Sequence, residues 1–300
     1  MAERTSLAGV AERPASADHA PERAPARRER DLLPAIEPER QVDDWGRSER
    51  VEDFFDKTLV EFFYRYWFRA EVEGIENVPA SGGALLVSNH SGALPPDAAV
   101  IAKAIKDEHP SPRKLNVTVE HFFKGYPLFS MLIPKIGCVA AHPANVQRLL
   151  FDEEQLVLVF PEGRKGTEKV FSERYKLRRF GRGGFVTAAM RAQAKLVPVC
   201  VVGAEEAAPI FAHVRPLQKL TGLLYFPLTP TFPWLGPLGM LGYLPAKFRI
   251  RFLEPIDTAE LGADPDSDRA LVQSISQEVR ARIQENLRDM VGKRRSVWFG

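Results

Sequence analysis

Three runs of nearly unbroken apolar residues constrain this chain more than any other feature: "ALLVS" at 84–88, "LVLVF" at 156–160 and "LVPVCVV" at 196–202. None alternates polar with apolar, so each reads as a strand buried on both faces. Segments of helical character lie between them, "DAAVIAKAIK" after the first run and "GGFVTAAMRAQA" before the third. "KLNVTVEHFF" predicts a further strand, and "KFRIRFLEPI" a late alternating one. The chain closes on a predicted amphipathic helix with Leu271, Ile275, Val279, Ile283 and Leu287 as its apolar stripe and Pro265 in its first turn. Strands alternating with helices predict an α/β fold: a mixed, mainly parallel sheet covered by helices. Three hundred residues, 45% of them hydrophobic, supply enough core for one such domain.

Residues 1–45 are rich in Ala, Pro, Arg and Glu and lack apolar periodicity, so they read as a disordered leader ahead of a single domain at 46–300. The leader has no apolar core of the kind a secretory signal needs. An N-terminal amphipathic helix follows, with Phe54, Phe55, Leu59, Phe62, Phe63, Tyr66 and Trp67 at helical spacing. It packs on the core or lies partly in a membrane interface. Residues 220–246 carry no charge, a length that matches the about 20 residues of a membrane span. Five prolines and four glycines within them argue against a spanning helix, because the freed backbone groups would lack partners in lipid. The segment reads instead as a loop lying on or dipping into a membrane, or as the lining of an acyl channel. Tyr225, Trp234 and Tyr243 suit an interface.

"SNHSGALPPD", at 88–97, follows the first strand directly. In open α/β sheets ligands bind beyond the carboxyl ends of the strands. His90 therefore sits on the same rim as "FPEG" at 160–163, which ends the second run. Histidine is suited to proton transfer near neutral pH, and a carboxylate on its other nitrogen would fix the tautomer. Asp97 can supply that carboxylate if the "ALPP" bend turns the chain back; otherwise it caps the next helix. Ser91 follows directly as a candidate nucleophile, but a G-x-S-x-G elbow is lacking. Cys138 and Cys200 lie in apolar runs and read as buried, inert thiols in a reducing compartment. No Cys/His spacing points to a metal, and a net charge of +2 gives no overall reason to expect nucleic acid.

"NHSGALPPD", "VFPEGRKG" and "LVPVCVVGAEE", in that order over residues 70–255, resemble the glycerolipid acyltransferases, the family that includes 1-acylglycerol-3-phosphate acyltransferases. The resemblance implies that His90 deprotonates an acceptor hydroxyl, that Asp97 orients His90, and that Glu162 and Gly163 help bind the acceptor. Two departures stand out. The family pattern is N-H-x4-D, whereas Pro95 stands at that position and Asp97 two residues later. The family's G-x-x-F-x-x-R phosphate motif corresponds to "GCVAAHPANVQR", where Gly137 matches and Arg148 lies too far along. A run of eight Lys/Arg against two Glu between Arg164 and Arg182 offers other cations, and Arg164 and Lys165 follow "FPEG" directly.

The expected function is transfer of an acyl chain from a thioester, acyl-CoA or acyl-carrier protein, to a lipid hydroxyl. The resemblance implies lysophosphatidate as the default acceptor, and the missing arginine leaves a neutral alcohol such as diacylglycerol as the alternative. No metal or redox cofactor is expected, and the protein is placed on a membrane surface facing the cytoplasm. A non-catalytic lipid-binding protein with a decayed site is the reading from a different class.

Overall fold

In the computed structural model, residues 42–92, 95–120, 127–222, 225–261 and 264–300 are described. The predicted leader falls almost wholly outside them. Asp43 and Trp45, assigned to the leader by composition, belong to the fold: the Trp45 indole donates to Glu153 Oε2 at 2.9 Å, and Asp43 caps its own turn through Arg47 N–H at 2.8 Å.

The chain opens with α1 (Glu49–Phe55), which runs on through π-wound turns at Asp56–Val60 and Phe62–Trp67. Then come β1 (Glu71–Glu73), β2 (Ala84–Ser88), α2 (Asp97–Glu108), β3 (Leu115–Val119), α3 (Pro127–Lys135), β4 (Cys138–Ala140), α4 (Pro143–Gln147) and β5 (Leu156–Val159). The second half carries α5 (Arg164–Thr167), α6 (Gly184–Arg191), β6 (Lys195–Val202), α7 (Ala204–Ala207), β7 (Ala212–His213), α8 (Arg215–Thr221), β8 (Pro227–Leu228), β9 (Arg249–Phe252) and α9 (Arg269–Lys293).

Seven strands form one sheet in the order β1-β9-β6-β2-β5-β3-β4. The run from β6 to β4 is parallel. β9 runs antiparallel to β6, and β1 follows it. The mixed, mainly parallel sheet expected from the sequence is therefore present. β7 and β8 pair separately as a short antiparallel ribbon.

The apolar strands are unpatterned because both faces are covered. Leu85, Val87, Val157, Cys200 and Val202 point to one side, where α4, α6 and α9 pack. Leu86, Leu158, Val199 and Val201 point to the other, against α2, Phe68 and Phe248. The α9 stripe predicted from spacing is the buried one: Ile275, Val279, Ile283 and Leu287 all face the first cluster. Its start differs from expectation. Pro265 lies in a turn before the helix, and Asp268 is the cap, accepting from Leu271 N–H at 2.8 Å. Burial holds both thiols protonated, with Cys138 pushed up to about 12.

Candidate active site

The carboxyl ends of β2, β3, β5 and β6 share one edge because these strands are parallel. Asn89 locks the end of β2 to β6: its side-chain amide donates to Val201 O at 3.0 Å and accepts from Val201 N–H at 2.8 Å. The next residue, His90, is carried past the sheet edge, and its ring stacks on Phe160 at a centroid distance of 3.9 Å.

The chain then turns through Gly92, at φ +86, and returns to place Asp97 as the first residue of α2. His90 Nδ1 lies 3.1 Å from Asp97 Oδ2. The same oxygen accepts Ser91 N–H at 3.0 Å. Six intervening residues therefore bring the carboxylate back to the imidazole. Asp97 is fully buried while His90 is 17% exposed at its side chain, so the pair presents the imidazole and hides its partner. A carboxylate at Nδ1 selects the Nδ1–H tautomer and leaves the Nε2 lone pair for proton abstraction. Ser91 Oγ is buried and has no hydrogen-bond partner among the described residues, so the geometry gives the nucleophile reading nothing to build on. Burial, with the Asp97 charge acting in the same direction, raises the Tyr243 phenol above the ordinary range. Sequence reasoning treated Tyr243 as an interface aromatic, and no local motif marks it otherwise.

A second carboxylate holds His90 by its backbone. Glu162 Oε1 accepts His90 N–H at 3.2 Å, and Oε2 accepts Arg178 N–H at 2.7 Å. Lys169 Nζ lies 3.5 Å from Glu162 Oε2 and 2.7 Å from Glu205 Oε1. Glu205 in turn accepts Tyr175 N–H, and Glu206 beside it takes the Tyr175 hydroxyl and the Arg294 guanidinium. Burial raises the Glu205 carboxyl to about 7, against the pull of Lys169. The Glu162 side chain is wholly buried, and both of its oxygens are engaged within the protein.

Gly163 is the bend between β5 and α5, at φ +53 and ψ −147. Glu120 closes this bend by accepting Arg164 N–H at 3.2 Å. Gly166 was not singled out from the sequence, yet a Cβ there would lie 3.0 Å from His90 O and 3.1 Å from His90 Cβ. Only the paired motifs brought together in space reveal that closeness.

Arg164 and Lys165 are exposed beside this bend; Arg164 Nε pairs with Glu168 at 3.0 Å. The rest of the basic run divides. Lys169 is buried, Arg174 lies over Phe171 at 4.4 Å, and Arg178 pairs with Glu173. Lys176, Arg179 and Arg182 are exposed. Arg148 lies over Trp45 at 4.8 Å and pairs with Glu153 at 2.8 Å, so it is occupied by the turn at the start of the domain. The other described histidines have local duties. His142 caps α4, His213 bonds Glu168 O, and His109 bonds Val78 O. Among the described residues, no group of three or more His, Cys, Asp or Glu is placed to hold a metal ion.

The uncharged 220–246 segment is irregular: the end of α8, the short β8 and a 3-10 turn at Gly236–Leu241. Phe226 and Phe232 anchor it, while Leu220, Trp234, Leu235, Leu238 and Leu241 are exposed. Tyr243, at its end, accepts from the Trp67 indole through its carbonyl at 3.0 Å and meets the Phe63 ring at 5.4 Å. The segment therefore touches the N-terminal helix, which itself exposes Phe54, Leu59, Phe62 and Tyr66. Among the described residues no helix is long and apolar enough to cross a membrane.

The Acyltransferase family matches residues 69–202, a span that runs from β1 to the end of β6 and contains His90, Asp97 and Glu162. An uncharacterised protein of Mycobacterium tuberculosis is 41% identical over 259 residues, 86% of this chain and 72% of that one. This chain belongs to the acyltransferase family. It is also similar to a DGAT1/2-independent enzyme synthesizing storage lipids of Gallus gallus, 28% identical over 193 residues, 64% of this chain and 53% of that one. Among solved structures, the 1-acyl-sn-glycerophosphate acyltransferase PlsC of Thermotoga maritima superposes with a TM-score of 0.52 at 16% identity, covering 83% of this chain and 84% of that one. That likeness establishes a shared α/β acyltransferase fold.

Proposed function

We propose that this acyltransferase moves a fatty acyl chain from a thioester donor to the hydroxyl of a lysophosphatidate-class lipid at a membrane surface. The observation that carries the reading is the His90–Asp97 pair, 3.1 Å apart, at the carboxyl edge of a parallel sheet. His90 Nε2 takes the proton of the acceptor hydroxyl as its oxygen attacks the thioester carbonyl. The tetrahedral intermediate collapses with loss of the thiolate, and the imidazolium returns the proton to the sulfur. Asp97 holds the ring and stabilises its charged form between the two steps. His90 N–H and Ser91 N–H are already bonded to Glu162 and Asp97, so the oxyanion is stabilised by other donors on this rim. Exposed Arg164 and Lys165, beside Gly163, favour a phosphate on the acceptor. The exposed apolar residues of 220–241 and of the N-terminal helix favour docking on a bilayer, where Trp and Tyr rings settle.

A neutral lipid alcohol such as diacylglycerol is the second reading, and one observation favours it: Arg148 is tied to Trp45 and Glu153 and takes no place at the site. The test is transfer of labelled acyl chains by purified protein to a panel of phosphorylated and neutral acceptors, with His90→Ala as control. Activity on phosphorylated acceptors alone supports the first reading, and activity on neutral ones alone supports the second. Full activity in His90→Ala sinks both.

A further inference from the structure

A cavity of 330 Å³ opens between the 179–180 segment and α9, lined by Arg179, Phe180, Gln273, Ser276, Gln277 and Arg280. Two guanidinium groups face it, and neither is bonded to a carboxylate. Arg280 donates through Nε to Arg178 O at 3.0 Å and through Nη2 to Leu177 O at 2.8 Å, which fixes the fork and leaves Nη1 unused. Arg179 makes no hydrogen bond or ion pair among the described residues. Other arginines of this surface do: Arg178 pairs with Glu173, Arg191 with Asp266 and Arg174 with Glu206. One guanidinium fixed by its bonds to carbonyls and a second without a partner among the described residues, lining one concavity with two glutamines, supply the kind of donors that phosphate oxygens accept from. Arg182 lies exposed just beyond and adds to the local positive potential.

The cavity is joined to the active-site rim. Arg178 N–H, one residue from Arg179, is bonded to the Glu162 carboxylate that holds His90 N–H, and Gly181 N–H approaches Pro161 O at 3.5 Å. Its lining includes no residue of the exposed apolar segments at 54–66 or 220–241, and Phe180 is buried. A lipid acceptor arriving through those apolar segments does not meet this wall. A water-soluble phosphorylated molecule does.

We propose that this cavity binds the phosphate-bearing nucleotide end of a coenzyme A-type acyl donor, holding it beside the rim that carries His90. The proposal rests on the acyl-transfer reading above for its purpose, but not for its test. Binding of coenzyme A, dephospho-coenzyme A and inorganic phosphate to the full chain is measured by calorimetry at two salt concentrations, beside cosedimentation with phosphatidic acid vesicles. The variants are Arg179→Gln and Gln277→Glu, which leave the Arg280 bonds to carbonyls in place. Each is expected to weaken coenzyme A binding about tenfold, the worth of one charge-assisted hydrogen bond. Vesicle binding is expected to hold, and the KM for acyl-CoA to rise with kcat unchanged. Added salt should weaken wild-type binding more than variant binding. Unchanged coenzyme A affinity in both variants overturns the proposal. So does loss of vesicle binding alone, which would assign the cavity to lipid headgroups. If the wild type binds coenzyme A through Arg179 but transfers no acyl chain to any acceptor, the site stands and the acyl-transfer reading falls.

Discussion

Gly166→Ala tests how tightly the two active-site turns are pressed together, without touching a chemical group. The added Cβ would stand 2.9 Å from Glu162 Cβ, 3.0 Å from His90 O and 3.1 Å from His90 Cβ. Carbon atoms in contact prefer about 3.5–4.0 Å, so α5 and the His90 turn must separate by roughly half an ångström to one ångström. One is a backbone oxygen and two are Cβ atoms fixed to the backbone, so none can rotate away as a side-chain tip would. Overpacking of this kind costs about 1–3 kcal/mol. Replacing glycine by alanine within a helix returns about 0.5–1 kcal/mol, leaving a net destabilisation of about 0–2.5 kcal/mol. The catalytic cost is larger in proportion. Moving a base by about 1 Å is worth about 10²-fold in rate, or about 3 kcal/mol in the barrier. The assay is steady-state acyl transfer beside a thermal melt, with Gly184→Ala in α6 as control, since a Cβ there meets nothing within 4 Å. The expected result is a folded protein with kcat down about 10²-fold and a control at wild-type rate. A Gly166→Ala protein with full kcat would refute the argument that the α5 turn sets the position of His90.

Asp97→Asn removes the charge at His90 Nδ1 while keeping its shape, and kcat should fall about 10²–10⁴-fold with the melting temperature little changed. Glu205 gives a pH signature. Burial raises its carboxyl to about 7 in the fold, against an ordinary 4.5, so between those values the unfolded chain holds fewer protons than the native one. Stability should therefore fall as pH rises from about 4.5 to about 7, and Glu205→Gln should flatten that part of a melting-temperature profile. Trp234→Ser with Leu238→Ser removes two exposed apolar side chains, and vesicle cosedimentation should drop while turnover of a soluble short-chain acceptor persists.

The sheet was legible because its strands are apolar on both faces, which only burial between helices explains. The dyad was legible in type, and its doubtful spacing resolves through Gly92 and the bend before α2. Short edges were not legible. β1 and β4 have three residues each, too few for a pattern, and the reversed direction of β9 depends on pairing with β6 rather than on anything in "KFRIRF". Residues Tyr175, Glu205, Glu206 and Arg294 were equally hidden, because a buried ion network joins positions whose separation in sequence carries no signal. The Glu162 placement shows the same limit: a motif tells which residues gather, not which way a carboxylate turns.

These facts separate two tasks that the motif pattern merges. Asp97 acts on the imidazole ring, setting its tautomer, and Glu162 acts on the backbone from which that ring hangs. Glu162 accepts two N–H groups at once, one on each oxygen. Its charge is buried, and burying a lone carboxylate is costly unless a cation is near. Lys169 is that cation, and Glu205 shares it. A carboxylate pair on one ammonium repels, and the proton that Glu205 keeps up to about pH 7 relieves that repulsion. The position of His90 is therefore tied to the state of a carboxylate on the far side of Lys169, past the end of β6. Lys169→Met should consequently lower kcat for a reason that has nothing to do with substrate charge. The buried Glu162 carboxylate then loses its neighbouring cation, its hold on the two N–H groups weakens, and the His90 turn loosens. A rise in KM for phosphorylated acceptors at unchanged kcat would instead make Lys169 a substrate contact and break this chain of reasoning.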